Sequence, residues 1–318
     1  LYLTRLVVAL YRYWRGRGHV REASTWFNNA LARRERLRVL EIDGVLPPDE
    51  RWALETKLLN NAAIFAIDRC DLAVAETLLE ECHGLRKASG DLAGQAAALN
   101  NLANVAGRQG DYATALRRYA ACVRLFRSQQ EERGLGSALA NIGMIYVLQG
   151  RYSRARRSLK RSLKIARRLV DRRGEASRLR VLGEAEMRDG CLREAEDCYR
   201  QSLVLQRELG DEHGQMFAVF SLGILAATQG DHRRAARLLA SALWFLEDQS
   251  ITLSGDFRRD LVTAYPDLGI QAGDGCGVIV GKLASLHAGA SGVLMSLSEA
   301  GGYALSLFET APLRGPSL

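Results

Sequence analysis

The chain repeats itself with a step of 40 residues, and this period limits its fold more than any other property. Gly110 recurs as Gly150, Gly190 and Gly230, with Cys70 in the same slot one period earlier. Five residues on, the slot reads Ala75, Ala115, Ala155, Ala195 and Ala235. A second series, Gly94, Gly134, Gly174 and Gly214, keeps the same step. Such register is produced by stacked copies of one supersecondary unit, each packed on its neighbours. A length of 318 residues fits two ordinary domains or one array, and the repeats favour the array.

Within each unit the apolar residues fall at helical spacing. Leu99, Leu102 and Ala106 share a face of a first helix, and Tyr112, Ala115, Tyr119 and Cys122 share a face of a second. No proline occurs from Asp49 to Tyr265, so nothing breaks these helices. Gly110 is expected to end the first helix in the left-handed conformation, which glycine adopts without a Cβ clash. Asp71, Asp111 and Asp231 follow this turn and can cap the second helix. Asp91, Glu131, Asp171 and Asp211 precede each pair and can cap its first helix or favour its dipole. The unvarying alanine predicts a helix crossing too close for a larger side chain. Ala63, Ala103, Gly143, Gly183 and Gly223 are expected to face it from the first helix.

Four segments follow from this register. Residues 1–42 read as a degenerate first hairpin, because Ala23 lies five residues after Gly18 as in the array. Residues 43–54 hold the turn-rich Asp43 to Glu50 stretch, with Pro47 and Pro48, and the start of the next helix. Residues 55–245 form the regular array. The period fails after Trp244, and the Gly-rich residues 246–318 are expected to be a C-terminal cap and tail, in part disordered. The chain opens on Leu1 inside helix-like text, so it is expected to be cut from a longer protein.

Composition excludes more than it selects. With 47% hydrophobic and 25% charged residues the chain is globular in kind and not a disordered one. The net charge of +8 permits an acidic partner, although charge on solvated helix faces explains it as well. Cys70, Cys82, Cys122, Cys191, Cys198 and Cys276 show no paired spacing, and Cys82 and Cys122 sit where later repeats have Ser162, Ser202 and Ala242. Buried reduced thiols in a cytoplasmic protein are expected, and no metal site. His19, His83, His213, His232 and His287 make no metal-ligand spacing either.

The stretch from Gly277 to Leu283 superficially suggests a phosphate loop, but Cys276 stands at its first glycine and Leu283 where a magnesium-holding Ser or Thr belongs. No nucleophile triad is visible, so the chain is read as non-enzymatic and without a cofactor. The stretch from Cys276 to Leu297 is interrupted by Lys282, His287 and glycines, and no membrane span is expected.

The string Gly-Asp-Tyr-x-x-Ala from Gly110, preceded by Asn-x-Leu-Ala or Asn-Ile-Gly, resembles the tetratricopeptide repeat. Leu102, Ala103, Gly110, Tyr112, Ala115, Tyr119 and Cys122 occupy that motif's signature places. The departure is length: the usual unit has about 34 residues and ends in Pro. The resemblance is strong over residues 55–245 and weak over the first 40. It implies an all-α, right-handed superhelix (an α-solenoid) of about six helix–turn–helix repeats with a C-terminal helical cap. The opening Leu6 to His19 segment, with Ala23 and Trp26, and the Met295 to Leu305 segment resemble the ends of the repeat region in LuxR-type, STAND-class bacterial regulators.

By the same resemblance, first helices line a concave groove that binds a protein or peptide. The groove positions carried over are Asn60, Asn100, Asn104, Asn141, Met144, Val147, Arg180, Glu184, Arg188, Phe217, Phe220 and Ile224. Asn amides suit an extended backbone because each both donates and accepts. The plain alternative is that Asn60, Asn100 and Asn141 bond to neighbouring helix ends. The carboxylate clamp of chaperone-binding relatives is not reproduced, since Asn100, Ser177 and Val181 stand where it is basic.

A separate feature is a basic strip, Arg154, Arg157, Arg161, Lys164 and Arg168, on one stripe of a second helix. It suits an acidic partner or a phosphate backbone, or is simply solvated. The reading is therefore a ligand- or protein-binding sensor region of a bacterial signalling ATPase or transcriptional regulator. The alternatives are a stand-alone scaffold or peptide-pheromone receptor, and a nucleic-acid or acidic-partner binder using residues 151–173. A small-molecule inducer in the groove is a further candidate partner, and direct contact with nucleic acid is not the expected mode.

Overall fold

A computed structural model describes residues 1–17, 19–249, 255–271, 273–286 and 296–306. Gly18, His287 and the 307–318 tail, on which expectations above rest, lie outside them. The protein is an all-α solenoid: α1 (Tyr2–Arg17), α2 (Val20–Leu31), α3 (Glu35–Ile42), α4 (Pro48–Asp68), α5 (Leu72–Ala88), α6 (Leu92–Arg108), α7 (Tyr112–Ser128), α8 (Glu132–Leu148), α9 (Tyr152–Arg168), α10 (Arg172–Arg188), α11 (Leu192–Glu208), α12 (Glu212–Thr228), α13 (His232–Asp248), α14 (Gly255–Ala264), α15 (Cys276–Leu286) and α16 (Leu297–Ser306). Two compact units, Leu1–Ile145 and Tyr146–Leu318, divide within α8.

Unit 1 opens on a core shared by α1, α2 and α4, where Val7, Trp14, Ala23, Phe27, Leu58 and Phe65 are buried together. The helix expected after α1 is broken at 32–34, where Arg33 and Arg34 donate to carbonyls three residues back. The turn lets α3 bury Leu37, and the loop beyond it buries Leu46. Glu41 on α3 pairs with Arg51 on α4, which also pairs with Glu55 at 2.7 Å, so a buried guanidinium fixes this junction. Helices α4–α5 and α6–α7 then pair as hairpins, as α10–α11 and α12–α13 do within unit 2.

Each hairpin is set by the features legible in its text. Gly110, at φ +84°, turns the chain while Asp111 donates its backbone N–H to the carbonyl of Ala106 at 2.9 Å. Asp111 then caps α7 by accepting from the Thr114 N–H at 3.0 Å. Asp231 caps α13 in the same way, but Asp71 does not cap α5: its carboxylate lies against Arg69 instead.

Asp91, Glu131, Asp171 and Asp211 each accept from the N–H of the glycine three residues on. This explains the second glycine series. A Cβ at Gly94, Gly134, Gly174 or Gly214 would lie within 2.2 Å of a side-chain atom, the capping carboxylate itself in the first three.

The five repeat alanines are all fully buried. In unit 2 a Cβ at Gly183 would come 2.7 Å from the Tyr199 ring and 3.2 Å from the Ala195 carbonyl oxygen, and one at Gly223 would meet Leu239. The close crossing is therefore real. The slot of Cys82 and Cys122 does more than stay small: both thiols donate to a first-helix carbonyl, of Thr56 and Ala96, as the Ser202 hydroxyl does to Ala176 at 2.8 Å.

Unit 2 ends in a large core. Ile279 and Leu283 of α15, with Leu297, Ala300 and Ala304 of α16, are buried with α11, α12 and α13. The phosphate-loop look-alike lies inside α15, with no strand before it among the described residues.

Candidate functional site

In unit 1 the first helices α4, α6 and α8 carry asparagines that meet one another. Asn101 Nδ2 donates to Asn60 Oδ1 at 2.9 Å, and Asn141 Nδ2 donates to Asn100 Oδ1 at 3.1 Å. Each pair joins residues 41 apart, one more than the repeat, because adjacent first helices are offset by one position where these side chains meet. The plain alternative, bonding to neighbouring helix ends, does not hold for these asparagines. They bond side chain to side chain across repeats, not to helix ends.

The pairing uses only part of each amide. Among the described residues the Asn100 amide N–H groups and the carbonyl oxygens of Asn101 and Asn141 carry no further hydrogen bond. Asn60, Asn100 and Asn101 line an open cavity of about 220 Å³ together with Arg86, Phe126 and Ser137. Arg86 donates to the Gly94 carbonyl at 2.6 Å and places a guanidinium beside these amides. A row of fixed donors and acceptors half in water can pair with a backbone that brings both, at little ordering cost to the protein.

The other sequence candidates divide. Asn104 is engaged: its Oδ1 accepts from the Tyr119 hydroxyl, and burial pushes that phenol above its usual range. Met144 is half-buried on α8. Val147, Phe220 and Ile224 are 2%, 1% and 6% exposed, so they belong to the core and form no floor for a ligand. Their text gave no sign of this, since an apolar residue on a first helix looks alike whether it faces a groove or a neighbour.

In unit 2 Arg180, Glu184 and Arg188 share one side of α10, yet the chain has used them. Arg188 pairs with Glu184 at 3.2 Å and with Asp260 of α14 at 3.1 Å; burial works to lower its pKa, but these two carboxylates together raise it. The Arg180 guanidinium lies over the Phe217 ring at 5.4 Å. Phe257 of α14 covers Phe217 and Phe220 at 5.3 Å and 4.3 Å between ring centroids. The groove positions expected to await a ligand here already hold α14, which lies outside the repeat and was not anticipated.

The tetratricopeptide repeat pattern matches residues 54–128, 94–168 and 175–247, together more than half of the chain. The chain belongs to the tetratricopeptide repeat family. Among solved structures, the fold is similar to a Rap protein complexed with Competence and Sporulation Factor, at 13% identity and a TM-score of 0.60, covering 96% of this chain and 92% of that one. It is similar to apo RapI at 12% identity and a TM-score of 0.63, covering 96% and 99%. It is similar as well to NprR in complex with its cognate peptide NprX, at 12% identity and a TM-score of 0.62, covering 97% and 88%. No curated protein matches the sequence.

On this tetratricopeptide array the basic strip is a surface feature of α9. Arg154, Arg157, Arg161, Lys164 and Arg168 are all exposed. Arg154 lies 5.9 Å over the Tyr146 ring, and Arg157, Arg161 and Lys164 pair with no carboxylate among the described residues. The ion pairs of α9 are made by other arginines: Arg156 with Glu186 at 2.9 Å and with Asp189, and Arg167 with Glu175 at 2.7 Å. No described helix is long and apolar enough to cross a membrane.

Proposed function

We propose that this tetratricopeptide array binds an extended peptide or protein segment along the first helices of unit 1. The observation that carries the reading is the pair of cross-repeat asparagine contacts beside an open cavity. They hold Asn100, Asn101 and Asn141 in place with unspent donor and acceptor capacity. Backbone-directed contacts of this kind leave side-chain selection to flanking groups, here Arg86, Phe126 and Ser137. The similar folds of a Rap protein complexed with Competence and Sporulation Factor and of NprR in complex with its cognate peptide support the choice of a peptide over a small molecule.

The test is selection of a random peptide library on the full chain, followed by binding assays on Asn100→Ala and Asn141→Ala. Each truncation removes one partner of a pair and one ligand contact, and is expected to weaken a selected peptide about tenfold. Peptides that bind both variants as tightly as the parent sink the proposal.

A second reading places this binding inside a larger cytoplasmic signalling ATPase or transcriptional regulator. It rests on the resemblance of Leu6 to His19 and of Met295 to Leu305 to the ends of such repeat regions. Ligand binding would then favour one state of a switch domain in proportion to its differential affinity for the two. A gene whose reading frame encodes no nucleotide-binding or DNA-binding domain beside this region rejects it.

A further inference from the structure

The end of the array in unit 2 is capped by α15 and α16, and α14 adds the fully buried Leu261 to the same core. Ile279 and Leu283 of α15 are fully buried in the core with α13, and Ala300 and Ala304 of α16 are fully buried there too. Helix α14 reaches this core along the face that α10 and α12 present. Its contacts there are specific in chemistry. Phe257 stacks in a tilted arrangement on Phe217 and Phe220, at 5.3 Å and 4.3 Å. Three residues on, one helical turn, Asp260 accepts from Arg188 at 3.1 Å. The face thus offers an aromatic floor with the Arg180 guanidinium over one ring and Arg188 at its edge. Helix α14 presents the matching ring and carboxylate.

Much of the rest of α14 lies at the surface. Leu261 is its fully buried side chain, Arg259, Val262 and Thr263 are exposed, and Asp260 and Arg188 keep 25% and 33% of their side-chain surface. Arg258 turns away from the face and donates to the carbonyl oxygens of Gln271 and Asp274, in the loop before α15. An ion pair with this exposure contributes little by its strength and more by its selectivity.

We propose that α14 is a built-in stand-in for an external ligand. The α10–α12 face binds a helical protein segment that presents an aromatic side chain and a carboxylate one turn apart, and α14 keeps this face closed until such a segment displaces it. Release of α14 and docking of the partner exchange like contacts for like. Because it belongs to the same chain, α14 has an effective concentration on the order of millimolar, so a free segment with only the same contacts competes poorly with it. A physiological partner must add contacts of its own, and that requirement makes the helix a threshold on binding. The site is distinct from the asparagine face of unit 1, and the residues tested differ, so either reading can fail while the other stands.

The probe is a labelled synthetic peptide with the sequence of residues 255–266, titrated by fluorescence anisotropy into the full chain. The receptor is the Phe257→Ala/Asp260→Ala variant, with the parent for comparison. The expected result is saturable binding to the double variant and at least tenfold weaker binding to the parent. Binding should be lost when Arg188→Ala is added or when the peptide itself carries both alanines. Equal binding to parent and double variant, or none to a folded double variant, overturns the proposal. If circular dichroism shows the double variant unfolded, hydrogen exchange on the parent decides. The α14 amides must then exchange well before those of α12, and equal protection of the two helices rejects a displaceable α14.

Discussion

Two glycine-to-alanine substitutions in helix interiors separate the close hairpin crossing from ordinary helix propensity. Gly84 lies in α5 with nothing within 4 Å of the place a Cβ would take. Alanine there gains helix propensity alone, about 0.8–1 kcal/mol. Gly183 lies in α10, where the same gain applies, but its Cβ would sit 2.7 Å and 2.8 Å from two carbons of the Tyr199 ring and 3.2 Å from the Ala195 carbonyl oxygen. Tyr199 is 1% exposed and Ala195 contributes backbone, so neither neighbour can swing aside into solvent. Overpacking of this kind costs about 1–3 kcal/mol. Because the propensity term is common to both, the difference between the two variants measures the crossing by itself. Urea unfolding followed by far-ultraviolet circular dichroism is the assay, with midpoints compared at equal slope. Gly84→Ala should be more stable than the parent, and Gly183→Ala should lie about 1–3 kcal/mol below Gly84→Ala. If the two midpoints move together, the hairpins are not packed at the limit claimed for them.

Val170 holds φ +53° in a turn where the same slot is Gly90 or Gly210 in other repeats, and it is 76% exposed. Val170→Gly should therefore raise the melting temperature through relief of about 1–2 kcal/mol of backbone strain, less the entropy that glycine adds to the unfolded chain; an unchanged or lower melting temperature contradicts this. The buried Cys122 thiol is pushed up to about 12 from its ordinary 9.0 by loss of solvent. A raised folded pKa stabilises the protein fully below the unfolded value, and this contribution is lost as pH rises from 9.0 towards 12, by up to about 1.4 kcal/mol per unit. Cys122→Ser keeps a donor for the Ala96 carbonyl and removes the titration, so its stability should fall less steeply between these pH values, as read from urea midpoints; an identical slope refutes the assignment.

The repeat text made the hairpins legible because their rules act over short distances. A turn glycine, a capping acid and a small crossing residue all leave a mark at fixed spacing within one unit. The asparagine pairs were half visible: Asn60, Asn100 and Asn141 stood out, but Asn101 was missed. The signal was present, since Asn101 follows Asn60 and Asn141 follows Asn100 by 41 residues. Searching at the repeat length alone hides a contact offset by one. Val147, Phe220 and Ile224 failed for another reason. Burial depends on what covers a face, and for Phe220 the cover is Phe257 of α14, a helix outside the 40-residue pattern. The break between α2 and α3 likewise follows from burying Leu37 and Leu46, a tertiary demand that a helical run of residues does not announce.

The account rests most heavily on backbone recognition by the asparagine face of unit 1. A peptide selected on the full chain, remade with one N-methyl group at each backbone amide in turn, tests it directly by isothermal titration calorimetry. Methylation removes a donor without altering any side chain. The account predicts that methylation at the amide facing Asn101 or Asn141 weakens binding about tenfold or more, with an amide left unpaired costing about 1–3 kcal/mol. Uniform tolerance of methylation, with affinity lost only when peptide side chains are truncated, would contradict it.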